Sequence, residues 1–106
     1  MAINSRAKGK IGELSLAKVL REYGFEARRG GQYSGANGDP DVVTSMTDLH
    51  IECKRVERLD IYGAVEQSCR DAREGETPVV MHRKNRKPWL VTMRLEDFID
   101  MYRRKQ

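Results

Sequence analysis

Two neighbouring stretches constrain this chain more than any other feature: Gly38-Asp39-Pro40-Asp41-Val42-Val43, and Leu49 to Val56, which contains Glu52-Cys53-Lys54-Arg55. Asp41 to Met46 and Leu49 to Val56 read as two strands of an antiparallel hairpin with a tight turn near Met46-Thr47-Asp48. That pairing sets Asp41 opposite Glu52 or Lys54. Directly opposed residues have Cβ atoms only about 5 Å apart, so two carboxylates placed there repel unless a positive charge compensates. Hard divalent cations choose carboxylate oxygens and would supply it. Side chains alternate along a strand. Leu49, Ile51 and Cys53 therefore face the core, and His50, Glu52 and Lys54 face the chemistry.

The rest of the chain frames this hairpin. Ser5 or Asn4 can cap a first helix that runs to about Tyr23 and stops at Gly24. Its stripe is Ile11, Leu14, Ala17 and Leu20, with Leu16 and Tyr23 on the flank. Glu13 lies at the margin of that stripe, facing the sheet. Gly9 and Gly12 are costly inside a helix and suggest a surface where a backbone comes close, the chain's own or a nucleic acid's. Phe25 to Arg28 reads as a short edge strand. The glycine-rich loop Arg29 to Gly38 follows; it lacks the Gly-Lys-Ser/Thr ending of a P-loop and reads as either a substrate-contacting or an irregular segment.

Beyond the hairpin, a helix from about Ile61 to Arg73 packs through Val65, Ser68, Cys69 and Ala72. It leaves Glu66, Arg70 and Asp71 toward solvent, with Gln67 between the two groups. Pro78 to His82 and Trp89 to Met93 are two more strands, joined by the basic tip Arg83-Lys84-Asn85-Arg86-Lys87-Pro88. A last helix carries the stripe Leu95, Phe98, Ile99 and Tyr102, with acids early and bases late, as the helix dipole favours. The fold class is thus α/β: an α-β-β-β-α-β core with a mixed sheet of about five strands flanked by helices. Residues 1–106 are expected to form one domain.

Charge and composition narrow the function. Charged residues are 34% of the chain and the net charge is +4. The bases cluster at Arg6, Lys8 and Lys10; at Arg28 and Arg29; at Arg83, Lys84, Arg86 and Lys87; and at Arg103, Arg104 and Lys105. Such clusters form a footprint for a polyanion. There is no long apolar run and no signal-like N-terminus, so a cytoplasmic protein with no membrane contact is expected. Cys53 and Cys69 form no CxxC pair, and alternation puts His50 and Cys53 on opposite strand faces. No compact zinc set with His82 remains.

Pro40-Asp41 followed by Glu52-Cys53-Lys54 resembles the signature of the PD-(D/E)xK nuclease superfamily. Within it, the chain is similar to the small archaeal-type Holliday junction resolvases and their phage relatives, over roughly residues 5 to 95. The resemblance implies a metal-dependent DNA endonuclease using Mg²⁺ or Mn²⁺. Asp41, Glu52, the backbone carbonyl of Cys53 and Glu13 would serve as ligands, Lys54 as the catalytic cation and Gln67 as a helper. The Gln-x-x-x-Tyr form of some branches is absent, because position 71 is Asp. Asp39 competes with Asp41; Asp41 is preferred because it follows Pro40 and leads into Val42-Val43. Arg6, Lys8, Lys10, Arg29, Arg55, Arg83, Lys84, Arg86 and Lys87 are the candidate DNA contacts. Branched DNA is the expected partner and a homodimer the expected assembly, through the terminal helix stripe or the Met81 and Met93 strands. The alternatives are a nicking or flap-type nuclease of the virus-type replication-repair group, and a catalytically silent DNA-binding module.

Overall fold

The periodicities of the sequence take shape in a computed structural model that describes residues 5–30 and 40–105, the side chains of 5–8 excepted. The elements are α1 Ser5–Glu22, β1 Ala27–Arg29, β2 Val42–Thr44, β3 Leu49–Arg55, α2 Ile61–Asp71, β4 Thr77–Arg83, β5 Leu90–Thr92 and α3 Leu95–Lys105. They build the expected mixed sheet, in the order β1-β2-β3-β4-β5. Only β3 and β4 run parallel, in register from Leu49↔Thr77 to Arg55↔Arg83. A parallel pair needs a long crossover, and α2 supplies it. Asp60 caps α2 by accepting from the Gly63 N–H at 3.0 Å.

The hairpin register is the one that matters for function. Val42 pairs with Ile51, which sets Asp41 across from Glu52. Strand boundaries are tighter than the sequence suggests. β1 begins at Ala27, two residues after Phe25, because the turn through Gly24 (φ +97°) delays its pairing with Thr44. β2 covers only Val42 to Thr44, and α2 stops at Asp71, where Ala72 turns extended and returns its N–H to the Ser68 carbonyl.

The α1 stripe is rotated from expectation. Ile11 and Leu14 are exposed, as is Tyr23, whereas Gly12, Leu16, Ala17 and Leu20 turn inward. Gly12 explains this: a Cβ there would lie 3.0 Å from Cβ of Arg55 and 3.9 Å from Sγ of Cys53, so the bare backbone lets α1 settle on β3. Gly12 thus meets side chains of β3, not a backbone, while a Cβ at Gly9 would find nothing within 4 Å. Leu16, Ala17 and Leu20 close with Val42, Ile51, Cys53, Val79 and Met81 into the main core.

Two further differences bear on function. β3 is covered on both faces: His50 and Glu52 are as buried as Ile51, beneath α2. The α3 stripe is not buried in the chain at all; Leu95, Phe98, Ile99 and Tyr102 are exposed, and Leu90 and Val91 on edge strand β5 join them. A cavity of about 590 Å³, lined among others by Val79, Met81, Met93, Leu95 and Phe98, separates α3 from the sheet.

The basic tip is a tight turn closed by the Lys87 N–H on the Lys84 carbonyl, and it holds Arg86 at φ +63°. Left-handed backbone costs a residue with a Cβ about 1 kcal/mol or more. Arg86→Gly is therefore expected to raise stability by about 0.5–1 kcal/mol, a few degrees in a thermal melt. A lower melting temperature would contradict this account of the turn.

Candidate functional site

Asp41 is held at three points. Its N–H donates to the Ile51 carbonyl at 2.9 Å, its carbonyl accepts from the Gly30 N–H at 2.8 Å, and Oδ2 accepts from the Cys53 N–H at 2.9 Å. The close approach to Gly30 is obligatory, since a Cβ there would run into the Pro40 carbonyl. These bonds tie the start of β2 to the middle of β3. The Asp41 carboxylate consequently faces Glu52 with little solvent between them.

The electrostatic result is large. Burial, then the charge of Glu52, push the Asp41 carboxyl up to about 7; Glu13 adds to the rise and the Cys53 N–H opposes it. Burial, aided by the charges of Asp41 and Glu13, also pushes the Cys53 thiol up to about 12, which leaves it an inert core thiol. Glu13 faces the site as its helix position suggests, and its Oε1 pairs with Arg29 Nε at 2.7 Å. Arg29, a candidate DNA contact, is thus already engaged by a carboxylate of the site.

Lys54 follows Glu52 on the same strand face, half-buried, with its Cα registered against His82. His82 Nε2 lies 2.8 Å from Thr92 Oγ1, and burial lowers its pKa. Gln67 is half-buried on α2.

Three residues join the site that sequence reasoning did not assign to it. His50, 1% exposed, sets Nε2 at 3.3 Å from Glu52 Oε1 and Nδ1 at 3.5 Å from Glu76 Oε1. Asp71, expected in solvent, instead brings its carboxylate to His50 and Glu52, with ligand atoms of the three within 4.8 Å of one another. Burial works against protonation of His50, but the hydrogen bond and charge of Glu52, with Glu76 and Asp71, outweigh it and raise its pKa. The strand alternation already places His50 beside Glu52. Asp71 was traceable only as the residue one helical turn beyond Gln67.

Asp41 faces Glu52 across the hairpin and feels the charge of Glu13, but the three side chains whose ligand atoms come within 4.8 Å of one another among the described residues are His50, Glu52 and Asp71. The raised Asp41 pKa reflects its burial first and the nearby carboxylates of Glu52 and Glu13 second. Glu52 is the member that belongs both to this cluster and to the pair with Asp41.

The bases are distributed around this centre. Lys10, Lys84, Arg86 and Lys87 are exposed, and Arg55 is half-buried. Arg83 stacks its guanidinium 5.8 Å from the Trp89 ring centroid, and Glu57 Oε2 accepts from the Asn85 N–H at 2.7 Å, bracing the tip. The side chains of Arg6 and Lys8, and Asp39 with the glycine-rich loop at 31–39, lie outside the described residues. Among the described residues, no helix is long and apolar enough to cross a membrane.

Comparison with known proteins gives a consistent result. Residues 4–106 match the family model described as "Phage putative PDDEXK endonuclease". Among solved structures, the chain is similar to Hjc, a Holliday junction resolvase from the archaeal hyperthermophile Archaeoglobus fulgidus. The TM-score is 0.59 and the identity 26%, over 78% of this chain and 74% of that one. No curated protein matches.

Proposed function

Because the chain belongs to the phage PDDEXK endonuclease family, we propose that it is a divalent-cation-dependent endonuclease acting on branched DNA, with the four-way junction as substrate. The observation that carries this reading is the confrontation of Asp41 and Glu52 across the hairpin, with Lys54 two residues further along the same face. Two opposed carboxylates beside a polyanion would only repel it. They become useful when a cation lies between them.

In this reading Asp41 and Glu52 hold Mg²⁺ or Mn²⁺, with the Cys53 carbonyl as a further ligand and Glu13 contributing directly or through water. When bound, such an ion supplies a water of lowered pKa and polarises the scissile phosphate. Lys54 orients the attacking water and offsets the charge that develops on the phosphoryl oxygens. Gln67, on α2, assists in placing the water. Attack at phosphorus breaks the bond to the 3′ oxygen and leaves 3′-hydroxyl and 5′-phosphate ends. The exposed tip Lys84, Arg86 and Lys87, with Arg83, Arg55, Lys10, Arg6 and Lys8, contacts the backbone of the arms. Arg29 joins them once a cation relieves Glu13 of its partner.

Residues 1–106 work as one nuclease domain and in pairs. Two cuts in opposing strands need two sites, and an isologous dimer supplies them. The exposed stripe of α3 and the Leu90 and Val91 edge support this assembly. On α3, Glu96 and Asp97 lie in the first turn and Arg103, Arg104 and Lys105 in the last, so an antiparallel second copy meets complementary charge.

The test is a substrate panel. With Mg²⁺, purified protein should cut a synthetic four-way junction well before linear duplex, nicked duplex or flap, and EDTA should stop it. Sedimentation should give a dimer. Equal cutting of all substrates would remove the junction assignment. No cutting of any nucleic acid with Mg²⁺ or Mn²⁺ would remove the enzymatic one.

A further inference from the structure

We infer that His50 is a positioning residue: its Nε2–H holds Glu52 Oε1, so that the carboxylate is presented to Asp41 and to the cation between them. The inference rests on the cation reading proposed above and adds to it a residue outside the Asp, Glu and Lys set.

Four observations carry it. The contact is buried on both sides, with side chains 1% and 3% exposed, and spans 3.3 Å. The backbone that carries the ring is held, because the Ser68 hydroxyl is shared between the His50 carbonyl at 3.2 Å and the Val79 carbonyl at 3.1 Å, fastening α2 over this point of the sheet. On the far side of the ring no hydrogen bond competes, for Nδ1 has no hydrogen-bond partner among the described residues. Nδ1 lies 3.5 Å from Glu76 Oε1, and that oxygen is fixed by the Arg73 N–H at 2.8 Å. Finally, Asp71 stands close enough to both residues to compete for a cation or for the imidazole. His50 Nε2 is the group within hydrogen-bond reach of Glu52 on the α2 side, and without a donor there nothing keeps the two carboxylate oxygens from exchanging roles.

A buried ion pair kept for stability alone is the plainer explanation. Such pairs are weak stabilisers, often matched by apolar side chains of similar volume. What sets this one apart is its position: the acid that His50 grips is the one facing Asp41. Residues that orient a metal ligand typically change metal affinity by about 10–100-fold when removed.

The experiment compares two polar replacements that differ only in reach. The amide of His50→Gln extends to the Nε2 position and can still donate to Glu52; that of His50→Asn reaches only the Nδ1 position, toward Glu76. Mn²⁺ binding to the full chain is measured by calorimetry, and thermal melting in EDTA is recorded beside it. We expect His50→Asn to bind Mn²⁺ about 10–100-fold more weakly, and His50→Gln to stay near the parent, with similar melting of both variants. If the parent binds Mn²⁺ and the two variants match each other, the positioning role is overturned while the cation site stands. If the parent binds none, both readings fall. Should His50→Asn not fold, a His50→Gln variant that folds yet loses Mn²⁺ affinity overturns the role by itself.

Discussion

Asp41→Asn should abolish cleavage and at the same time yield a protein that melts at a higher temperature than the parent in EDTA at pH 8. The loss of activity follows from removing half of the carboxylate pair. Several kcal/mol of charge stabilisation at the phosphate leave with the cation, which is at least about a thousandfold in rate. The gain in stability follows from the Asp41 carboxyl, pushed from its ordinary 3.8 up to about 7 by burial and by Glu52. Between those pH values the folded chain keeps a proton that the unfolded chain has released. Stability therefore falls as pH rises from about 4 to about 7, and the penalty is complete above that. The shift sets an upper bound of about 4 kcal/mol on the effect. Solvent relaxation around a partly accessible group reduces it, yet even about 1 kcal/mol is several degrees for a domain of this size. Asn retains an oxygen for the Cys53 N–H and carries no charge. Calorimetric melting at pH 5 and pH 8 checks the sign: the variant's advantage should be small at pH 5, large at pH 8, and cancelled when Mn²⁺ is added to the parent. Equal melting at both pH values would mean that Asp41 and Glu52 do not strain the fold.

Lys54→Met is the second large effect, and it separates chemistry from binding. Methionine keeps an apolar stem of similar length for the half-buried position and removes only the ammonium. Single-turnover cleavage of a junction should fall by about 10²–10³-fold, the usual cost of losing a donor aimed at developing charge. Junction affinity, read by fluorescence anisotropy, should change only a few-fold, because the proposed phosphate contacts reside in the tip and α1. A parallel collapse of both quantities would place Lys54 among the binding residues instead.

The hairpin was legible from residue order because alternation and a short turn leave few registers, and Val42 opposite Ile51 is one of them. The polarity of α3 was legible for a similar reason: charges at helix ends obey a local rule. What lies above a face is a different matter. Periodicity placed His50, Glu52 and Lys54 together, but could not reveal that α2 would bury the first two. The rotation of α1 escaped for want of a partner: Gly12 directs the helix only because Arg55 and Cys53 lie beneath it. Asp71 looked like a solvent residue since its helix was judged by hydrophobicity, while the face of α2 it occupies meets polar groups of the sheet. The exposed α3 stripe is the reverse case, an amphipathic pattern that no described element of the chain buries.

The placement of β3 has one more consequence, which concerns time. Flanked by β2 and β4 and covered on two faces, this strand opens only when the whole domain does, so its amides should be the last to exchange with solvent. Glu52 and Lys54, which the proposed reaction uses, are thus held on the element that opens last. The side chains of Lys84, Arg86 and Lys87, by contrast, are exposed on a braced turn at the sheet's periphery and can reorient while the proposed substrate arrives. In the proposed reading, recognition falls to the fast part of the molecule and hydrolysis to the slow part, and a single strand separates the two clocks.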